Sequence, residues 1–378
     1  MHIFSLLSLA AFAAWLYLAF AHGKFWRPLL PEESPTPRTF PSVDIVVPAR
    51  DEAHALPRTL PSLLTQDYAG AWRVILVDDH SGDGTADIAR QIAADHDQTD
   101  RLTVIAAPDL AKGWSGKVAA MNAGVLQSSA DMILFTDADI RHAPRHLAHL
   151  VVRAEAGKLD LVSRMVKLNG ESVAEKLLIP AFVFFFAMLY PFRRANDPNS
   201  NVAAAAGGVM LARRAMLDKI GGLTSIKSAL IDDCSLAKAI KTAGGKIELT
   251  LTREAESLRS YPHVRDVWHM VARTAYTQLR HSPLLLAGTV AGMALLFLAP
   301  PLFFIFASTE TPLLIGFLAW LLMTALYAPT VKFYGMLWPC ALTLPVAALV
   351  YVAATVDSAW LYHRGKGGQW KGRTQSVG

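Results

Sequence analysis

The stretch Asp131-Met-Ile-Leu-Phe-Thr-Asp137-Ala-Asp139-Ile140 decides the fold class predicted for this chain. Its apolar run, 132–136, is typical of a buried parallel strand, and the two carboxylates follow at its carboxyl end, where open α/β sheets bind their ligands. Oxygen ligands this close together suit Mg²⁺ or Mn²⁺, so Asp139 and Asp137 are candidate metal ligands beside a diphosphate. The triplet alone is weak evidence, because Asp95-His-Asp97 repeats it in a polar run.

The composition indicates a soluble domain with membrane attachments. The 378-residue chain is 53% hydrophobic, with a mean hydropathy of +0.30 and a formal net charge of +5. The positive charge is spread out and forms no stripe with aromatic residues, which favours a membrane surface and anionic ligands and argues against nucleic acid. Cys234 and Cys340 lie far apart in unlike segments, so neither a disulfide nor a metal cluster is predicted, and a reducing compartment is expected.

Short β-branched runs alternate with helical stretches from Val43 onward, which is typical of a doubly wound α/β unit. Each of the early strands is followed by a polar loop, and these loops carry the candidate site residues. The predicted strands are 44–48, 74–77, 102–106, 132–136 and 159–163. The predicted helices include 56–66, 141–153, 236–243 and 263–280.

Apolar segments at both ends of the chain predict membrane helices. Residues 1–22 are expected to form an uncleaved N-terminal anchor, with a signal peptide as the alternative, since the basic residues follow the apolar stretch. A Pro-rich linker, 23–42, comes next. The C-terminal membrane helices are predicted within 283–360, at 284–306, 312–327 and 337–351 or beyond, and a basic tail follows at 361–378.

Two features complicate the predicted membrane topology. The apolar segment 177–192 would reach only about 24 Å as a helix, short of a hydrocarbon core of roughly 30 Å. It is predicted to be an interfacial or re-entrant helix, with a buried core helix as the alternative. Three C-terminal spans would also leave the basic tail outside, so we expect a re-entrant hairpin or a break at Pro300-Pro301, with the tail cytoplasmic.

Four motifs, in order, give the chain a family resemblance. They are Val46-Val-Pro-Ala-Arg-Asp-Glu52, Val77-Asp-Asp-His-Ser-Gly-Asp-Gly-Thr85, Gly116-Lys117 with Asn122-Ala-Gly124, and the D-x-D. Over roughly 43–251 the chain resembles a family 2 glycosyltransferase with the GT-A fold. The resemblance implies a Rossmann-like α/β catalytic domain with a mixed, mostly parallel sheet, here 43–282, accompanied by transmembrane helices.

Further features narrow the resemblance to one branch. The Gly-Trp-Ser-Gly-Lys loop, the membrane arrangement and the terminal Trp370-Lys-Gly-Arg373 resemble the ceramide-glucosyltransferase-like branch, in particular the bacterial hopene-associated glycosyltransferases. The resemblance implies donor-binding roles for Pro48, Arg50, Glu52, Asp78, Asp79, Lys117, Asn122, Asp137 and Arg273. Without the family, the same acids and hydroxyls around Asp78 would be caps and turn formers, and Lys117 a solvated lysine on the first turn of a helix.

A second pair of acids supplies the candidate catalytic groups. Ala229-Leu-Ile-Asp232-Asp233-Cys-Ser-Leu236 resembles the family's E-D-x-x-L signature with Asp in the first acidic position. The resemblance implies that Asp233 is the general base and that Asp232 orients it, since inverting transfer needs one carboxylate to accept the acceptor's proton. The alternative is a helix N-terminus whose acids favour the macrodipole.

The chain is therefore expected to be a membrane-bound, metal-dependent, inverting glycosyltransferase. It would transfer one sugar from a nucleotide-sugar donor to a lipid acceptor, for which the resemblance implies a hopanoid. We expect a multi-pass protein of the inner (cytoplasmic) membrane, with the catalytic domain in the cytoplasm.

Three alternative functions compete with this expectation. A processive polysaccharide synthase is disfavoured because Arg273 is followed by Thr274 and not by the Trp of the Q/R-x-x-R-W motif. A catalytically silent membrane scaffold of a lipid pathway would retain the fold, although the intact acid pairs argue against it. A nucleotide-cofactor oxidoreductase is not expected, because no G-x-G-x-x-G follows the first strand.

Overall fold

The computed structural model describes residues 2–37, 39–365, 369–370 and 373–374. Two compact units divide the chain. We call the first the helical unit, which comprises Met1–Pro28, Gly170–Arg193 and Ser260–Gly368. The second is the sheet unit, which comprises Leu29–Asn169, Arg194–Arg259 and Gln369–Gly378. All the candidate site residues except Arg273 belong to the sheet unit.

In the described part of the sheet unit, eight strands form one mixed sheet, and a separate antiparallel pair follows near the end of the chain. The strands of the main sheet lie in the order β3-β2-β1-β4-β7-β6-β8-β5. In chain order the strands are β1 Val43–Ala49, β2 Trp72–Asp78, β3 Leu102–Ala106, β4 Met132–Thr136, β5 Ile140–His142, β6 Leu161–Lys167, β7 Val209–Arg213, β8 Ile247–Ser257, β9 Gln369–Trp370 and β10 Arg373–Thr374.

Helices flank the sheet and make up most of the helical unit. In chain order they are α1 His2–Phe20, α2 Leu56–Leu64, α3 Thr85–Asp95, α4 Gly116–Leu126, α5 His146–Gly157, α6 Val173–Leu189, α7 Phe192–Asn196, α8 Arg214–Lys219, α9 Asp232–Thr242, α10 Val264–Ala272, α11 Ala275–Gln278, α12 Pro283–Met293, α13 Ala299–Phe306, α14 Glu310–Phe333 and α15 Leu344–His363. A π-helical turn, Ala294–Leu298, joins α12 to α13.

The central strands are apolar because both of their faces are covered. Every residue of β1 is buried, and apolar cores lie on both sides of the sheet. On one side Ile45 and Leu134 share a core with Leu56 and Leu60 of α2, and on the other Val46 and Phe135 share a core with residues of α4. Continuous apolar runs of this kind are expected of strands buried on both faces. The predicted α/β class with a predominantly parallel sheet is confirmed.

The strand directions bring several loops to one edge of the sheet. Strands β1, β2 and β4 run parallel, so their carboxyl ends meet at the same edge. Strand β7 runs antiparallel to β4, with Thr136 opposite Val209, so its start lies at that edge as well. The loops after β1, β2 and β4 and the segment before β7 therefore converge on one region.

The predicted helices have different bounds in the structure. The predicted helix 56–66 ends at Leu64, and the helix predicted at 236–243 is α9, which begins at Asp232 and ends at Thr242. Residues predicted to begin the helix 141–153 instead form β5, which pairs antiparallel with β8, and α5 begins only at His146. The predicted helix 263–280 is wrong as one element, because it is broken between Ala272 and Ala275 into α10 and α11. The strand predicted at 159–163 lies two residues later, as β6.

Among the residues that the structure describes, four helices of the helical unit are long and apolar enough to cross a membrane. They are Ile3–Phe20, Pro283–Phe306, Glu310–Phe333 and Trp338–His363. The π-helical turn interrupts the second of them, and the Leu296 carbonyl there accepts a hydrogen bond from the Trp15 indole at 2.8 Å. Such turns free a backbone carbonyl, which needs a partner in an apolar environment.

Most of the apolar segment predicted at 177–192 belongs to helix α6, which begins at Val173, ends at Leu189 and continues through Pro180. Its Glu175 carboxylate accepts backbone N–H bonds from Ser172 at 2.8 Å and Tyr261 at 2.6 Å, which fixes the start of the helix. The predicted domain bounds and interfacial placement stay predictions. The predicted basic tail begins inside α15, which ends at His363, and its residues 366–368, 371–372 and 375–378 lie outside the described residues.

Candidate active site

Lys117 joins the two pairs of acids that the sequence singled out. Its Nζ lies 2.8 Å from Asp137 Oδ1 and 3.3 Å from Asp232 Oδ2. Burial lowers the pKa of the Lys117 ammonium, but the carboxylates of Asp137, Asp232 and Asp233 outweigh it, and the net shift is upward. The lysine therefore carries its charge at neutral pH, and the interpretation of Lys117 as a solvated surface residue is wrong.

The start of α4 places Lys117 at this position. Ser115 is the N-cap, with its hydroxyl accepting from the backbone N–H of Val118 at 3.4 Å, and its own N–H donates to the Lys227 carbonyl at 2.7 Å. The cap and this second bond fix the first turn of the helix. Lys117 is consequently held against the acids by backbone geometry rather than by its flexible side chain alone.

Asp233 is held by two backbone N–H groups. Its Oδ2 accepts from Gly207 at 2.9 Å and its Oδ1 from Cys234 at 2.7 Å. Burial and the neighbouring Asp232 raise the pKa of Asp233 to about 6, against the opposing effects of Lys117 and the two N–H donors. Asp232 contacts Lys117, and its expected role in orienting Asp233 stays a prediction.

Gly207 lies close to both Lys117 and Asp233. A Cβ atom there would lie 3.3 Å from Lys117 Nζ and 3.5 Å from Asp233 Oδ2. Gly207 thus brings its backbone N–H to Asp233 while leaving room for the lysine. This N–H contact depends on the pairing between β4 and β7, which are far apart in the sequence.

Asp139 lies in a concentration of negative charge. Burial, together with the neighbouring Asp137 and Glu52, raises the pKa of Asp139 to about 6, against the opposing effects of Arg259 and Lys117. The Asp139 carbonyl accepts the Leu258 N–H at 2.9 Å, which ties the D-x-D loop to the end of β8. Sequence reasoning missed Arg259, because the β5–β8 pairing that brings it near has no local signal.

These carboxylates fit a divalent cation that takes only part of its coordination from protein. Within the described part of the chain, no three His, Cys, Asp or Glu side chains form a group that could hold a metal alone. The buried Asp139, with Asp137 and Glu52 close by, gathers negative charge that a cation would relieve. Magnesium and manganese commonly bind through one or two carboxylates and the phosphates of a substrate.

The predicted nucleotide-side acids have different environments. Asp79 is 3% exposed, and the Arg50 guanidinium donates to its backbone carbonyl at 2.7 Å and approaches its Oδ2 at 3.4 Å. Asp78 is half-buried, and its Oδ1 accepts the Ser81 N–H at 3.3 Å. The loop after β1 is also tied to this turn, because the Glu52 N–H donates to Thr85 Oγ1 at 2.9 Å.

The remaining predicted donor residues are Pro48, Asn122 and Arg273. Pro48 is buried within β1. Asn122 is half-buried on α4, and five residues of helix rotate it roughly 140° from Lys117, so the two side chains do not face the same way. Arg273 is exposed at the end of α10, in the helical unit.

A family model decides the classification. The model described as glycosyl transferase family 21 matches residues 6–377. The chain belongs to glycosyl transferase family 21. This protein is thus a glycosyltransferase, as predicted, although the matched family carries the number 21 where the sequence motifs indicated family 2.

Curated relatives of this family 21 glycosyltransferase are similar over part of its length. Glycosyltransferase AglE of Haloferax volcanii is 30% identical over 142 residues, 36% of this chain and 44% of that protein. The probable glycosyltransferase YdaM of Bacillus subtilis is 24% identical over 66% of this chain and 59% of that protein. An undecaprenyl-phosphate 4-deoxy-4-formamido-L-arabinose transferase of Salmonella choleraesuis is 28% identical over 35% of this chain and 39% of that protein. The chain thus spans less than two thirds of each.

A solved structure is similar to the family 21 chain over nearly its whole length. It is the mannosyltransferase PcManGT from Pyrobaculum calidifontis in complex with GDP-Man and Mn²⁺. The TM-score is 0.56 at 20% identity, over 95% of this chain and 98% of that one. At this identity the similarity supports the GT-A fold alone.

Proposed function

We propose that this glycosyltransferase moves one sugar, with inversion, from a nucleotide-sugar donor to a lipid hydroxyl at the cytoplasmic face of the inner membrane. One observation carries the proposal, namely that the Lys117 ammonium bridges Asp137 of the D-x-D and Asp232 of the second acid pair. A diphosphate bound by the first pair and a hydroxyl activated by the second would then share one reaction centre.

Asp233 is the proposed general base. Its carboxylate accepts the proton of the acceptor hydroxyl while that oxygen forms a bond to the anomeric carbon, and the bond from this carbon to the diphosphate breaks. The nucleoside diphosphate leaves with the electron pair of that bond. The raised pKa of Asp233, about 6, makes it a stronger base than an ordinary carboxylate while it remains ionised at neutral pH.

The second requirement of the reaction is that the negative charge developing on the leaving diphosphate be neutralised. Asp139 and Asp137 would hold Mg²⁺ or Mn²⁺, which when bound neutralises the developing charge on the diphosphate. Lys117 adds a fixed cation between the acid pairs, and we assign Arg273 a diphosphate contact by family resemblance alone. PcManGT, which has a similar fold, was solved in complex with Mn²⁺, and this supports a divalent ion without deciding which one.

The nucleoside would occupy the loops after β1 and β2. In this proposal Asp78 is the acid available to the nucleoside, because Arg50 engages Asp79. The proposed donor contacts are Pro48, Arg50, Glu52, Asp78, Asp79 and Asn122, and Asn122 has the least geometric support.

A lipid acceptor is supported by two independent observations. Four helices are apolar and long enough to cross a membrane, and one relative is named as an undecaprenyl-phosphate sugar transferase. A polyprenyl phosphate would attack with a phosphate oxygen, whereas a hopanoid would attack with a hydroxyl oxygen. The two acceptors therefore give products that differ in the group that carries the sugar. We retain the hopanoid as the finer proposal from sequence resemblance.

The test incubates membranes that contain the full-length protein with labelled nucleotide sugars, Mn²⁺ and total lipid extract. We expect one labelled lipid that carries a single sugar, and its loss with the Asp233→Asn variant. A ladder of product lengths would replace the proposal with a processive synthase. If no donor in the panel is transferred and none binds with Mn²⁺, the proposal fails and the silent scaffold is favoured.

A further inference from the structure

Three buried side chains behind the D-x-D form a continuous hydrogen-bonded series. Thr136, His142 and His146 are 1%, 5% and 1% exposed. Thr136 Oγ1 donates to the Gly208 carbonyl at 2.8 Å and lies 2.9 Å from His142 Nε2. His142 Nδ1 lies 2.9 Å from His146 Nδ1. None of the three belongs to the proposed donor or base site.

The bonding assigns the tautomer of both imidazoles. The Thr136 hydroxyl has one proton, which goes to the Gly208 carbonyl, so His142 Nε2 must be the donor to Thr136 Oγ1. A neutral imidazole carries one N–H, so His142 Nδ1 accepts and His146 Nδ1 donates. His146 Nε2 is then the bare nitrogen, and in the described part of the chain it has no hydrogen-bond partner.

Both rings are neutral under ordinary conditions. Burial lowers the pKa of His142 to about 3. Burial and the charges of His142, Arg164 and His149 lower the pKa of His146 well below its usual value. A doubly protonated ring, which would donate from both nitrogens, is therefore excluded at neutral pH.

The series spans the loop that carries the metal-binding acids. Thr136 directly precedes Asp137, and His142 follows Asp139 by three residues, so their contact closes the loop between them. Gly208, at the other end of the series, adjoins Gly207, whose N–H holds Asp233. One set of hydrogen bonds thus links the position of the D-x-D to the position of the candidate base.

We propose that His142, oriented by His146, is a positioning residue that donates from Nε2 to Thr136 and thereby sets the D-x-D acids at a fixed place relative to Asp233. This inference rests on the proposed function for its consequence in catalysis. The two tautomers that it assigns, Nε2–H for His142 and Nδ1–H for His146, can be measured without any assay of activity. Groups outside the coordination shell of a metal change the affinity of a site for that metal by fixing the position of its ligands.

The first test observes the tautomers directly. The full-length protein, labelled with ¹⁵N-histidine and held in detergent micelles, is examined by NMR at neutral pH, with the His142→Gln and His146→Gln variants used to assign the two rings. We expect protonation at Nε2 of His142 and at Nδ1 of His146. Protonation of His142 at Nδ1, or on both nitrogens, overturns the proposal.

The second test measures binding of Mn²⁺ with UDP and with GDP, using Thr136→Val, His142→Leu and the double variant. We expect each single change to weaken binding about tenfold or more, as is typical for groups that orient metal ligands, and the double variant to be no weaker than the singles. His142→Gln, which retains an N–H donor near the same place, should recover most of the loss. Additive losses, or unchanged binding with only a lower melting temperature, contradict the role.

A matched control separates positioning from general instability. Ile92→Ala on α3 removes an apolar side chain that is 8% exposed, so it should lower stability while leaving the hydrogen bonds of the series in place. We expect it to leave Mn²⁺–nucleotide binding unchanged. Absence of sugar transfer by the wild-type protein would overturn the proposed function, whereas the tautomers and the Mn²⁺–nucleotide affinities decide the positioning role independently. If the wild type binds neither nucleotide, the NMR result alone decides.

Discussion

The two acid pairs of the site use one lysine but differ in how their other members are held. In each pair one carboxylate contacts Lys117, namely Asp137 or Asp232, and the other is buried with a pKa raised to about 6. Asp233 accepts two fixed backbone N–H groups, whereas Asp137 and Glu52 add to the effect of burial in raising the pKa of Asp139. Fixed donors suit a base that must keep one orientation, and concentrated negative charge suits a group that awaits a cation.

The largest effect expected from the difference between the two pairs is that of removing the base alone. Asp233→Asn preserves the shape but cannot accept the acceptor's proton, so the transfer rate should fall about 10³-fold, within the range of general-base effects. Labelled-sugar transfer to lipid by the purified variant measures the loss. Asp218→Asn, at an exposed acid in the same unit, is the control and should retain full activity. Full turnover by Asp233→Asn would contradict the base assignment.

Removing the lysine that both pairs share should have the next largest effect. Lys117→Gln leaves Asp137 and Asp232 without their common cation and should lower the transfer rate about 100-fold, similar to the loss of one preorganised electrostatic donor. The control is Lys112→Gln, at an exposed lysine of the preceding loop. Equal rates for the two variants would mean that the ion pairs of Lys117 have no part in the reaction.

The pH profile sharpens the assignment of the two acids with raised pKa. Asp233 acts in its ionised form, so at saturating Mn²⁺ the rate should fall about tenfold for each pH unit below an apparent pKa near 6. Lys117 lowers the pKa of Asp233, so Lys117→Gln should move this acid limb to higher pH. A limb that moves to lower pH, or stays in place, would contradict the coupling.

The smallest expected effect tests the glycine between Lys117 and Asp233. In Gly207→Ala the added Cβ would lie 3.3 Å from Lys117 Nζ, which forces a displacement of a few tenths of an ångström, and we expect about a tenfold lower rate. Gly288→Ala on α12, where a Cβ meets nothing within 4 Å, is the matched control. Equal activity of the two variants would show that the close approach has no consequence.

Local patterns were sufficient to predict the strands that carry the site. The predicted bounds of β3 and β4 match the structure, because apolar runs ending in polar loops are a local property of the chain. The D-x-D and the second acid pair were likewise identified from short motifs. The structure brings both pairs to Lys117.

Features that depend on distant partners were not predictable in the same way. Residues 141–142 were predicted to begin a helix, but pairing with β8, more than a hundred residues later, makes them part of a strand. The same pairing brings Arg259 toward Asp139, and the histidine series depends on contacts between β4, β5 and α5. The predicted donor role of Asn122 stays a prediction, although a spacing of five on a helix turns its side chain away from Lys117.

The most direct test of whether the two acid pairs have different functions is calorimetry. Mn²⁺ with UDP or GDP is titrated into the wild type, Asp139→Asn and Asp233→Asn. We predict that Asp139→Asn loses Mn²⁺-dependent nucleotide binding and that Asp233→Asn, although unable to transfer sugar, keeps the wild-type affinity. Loss of binding in Asp233→Asn, or wild-type binding in Asp139→Asn, would contradict the division between a cation site and a base.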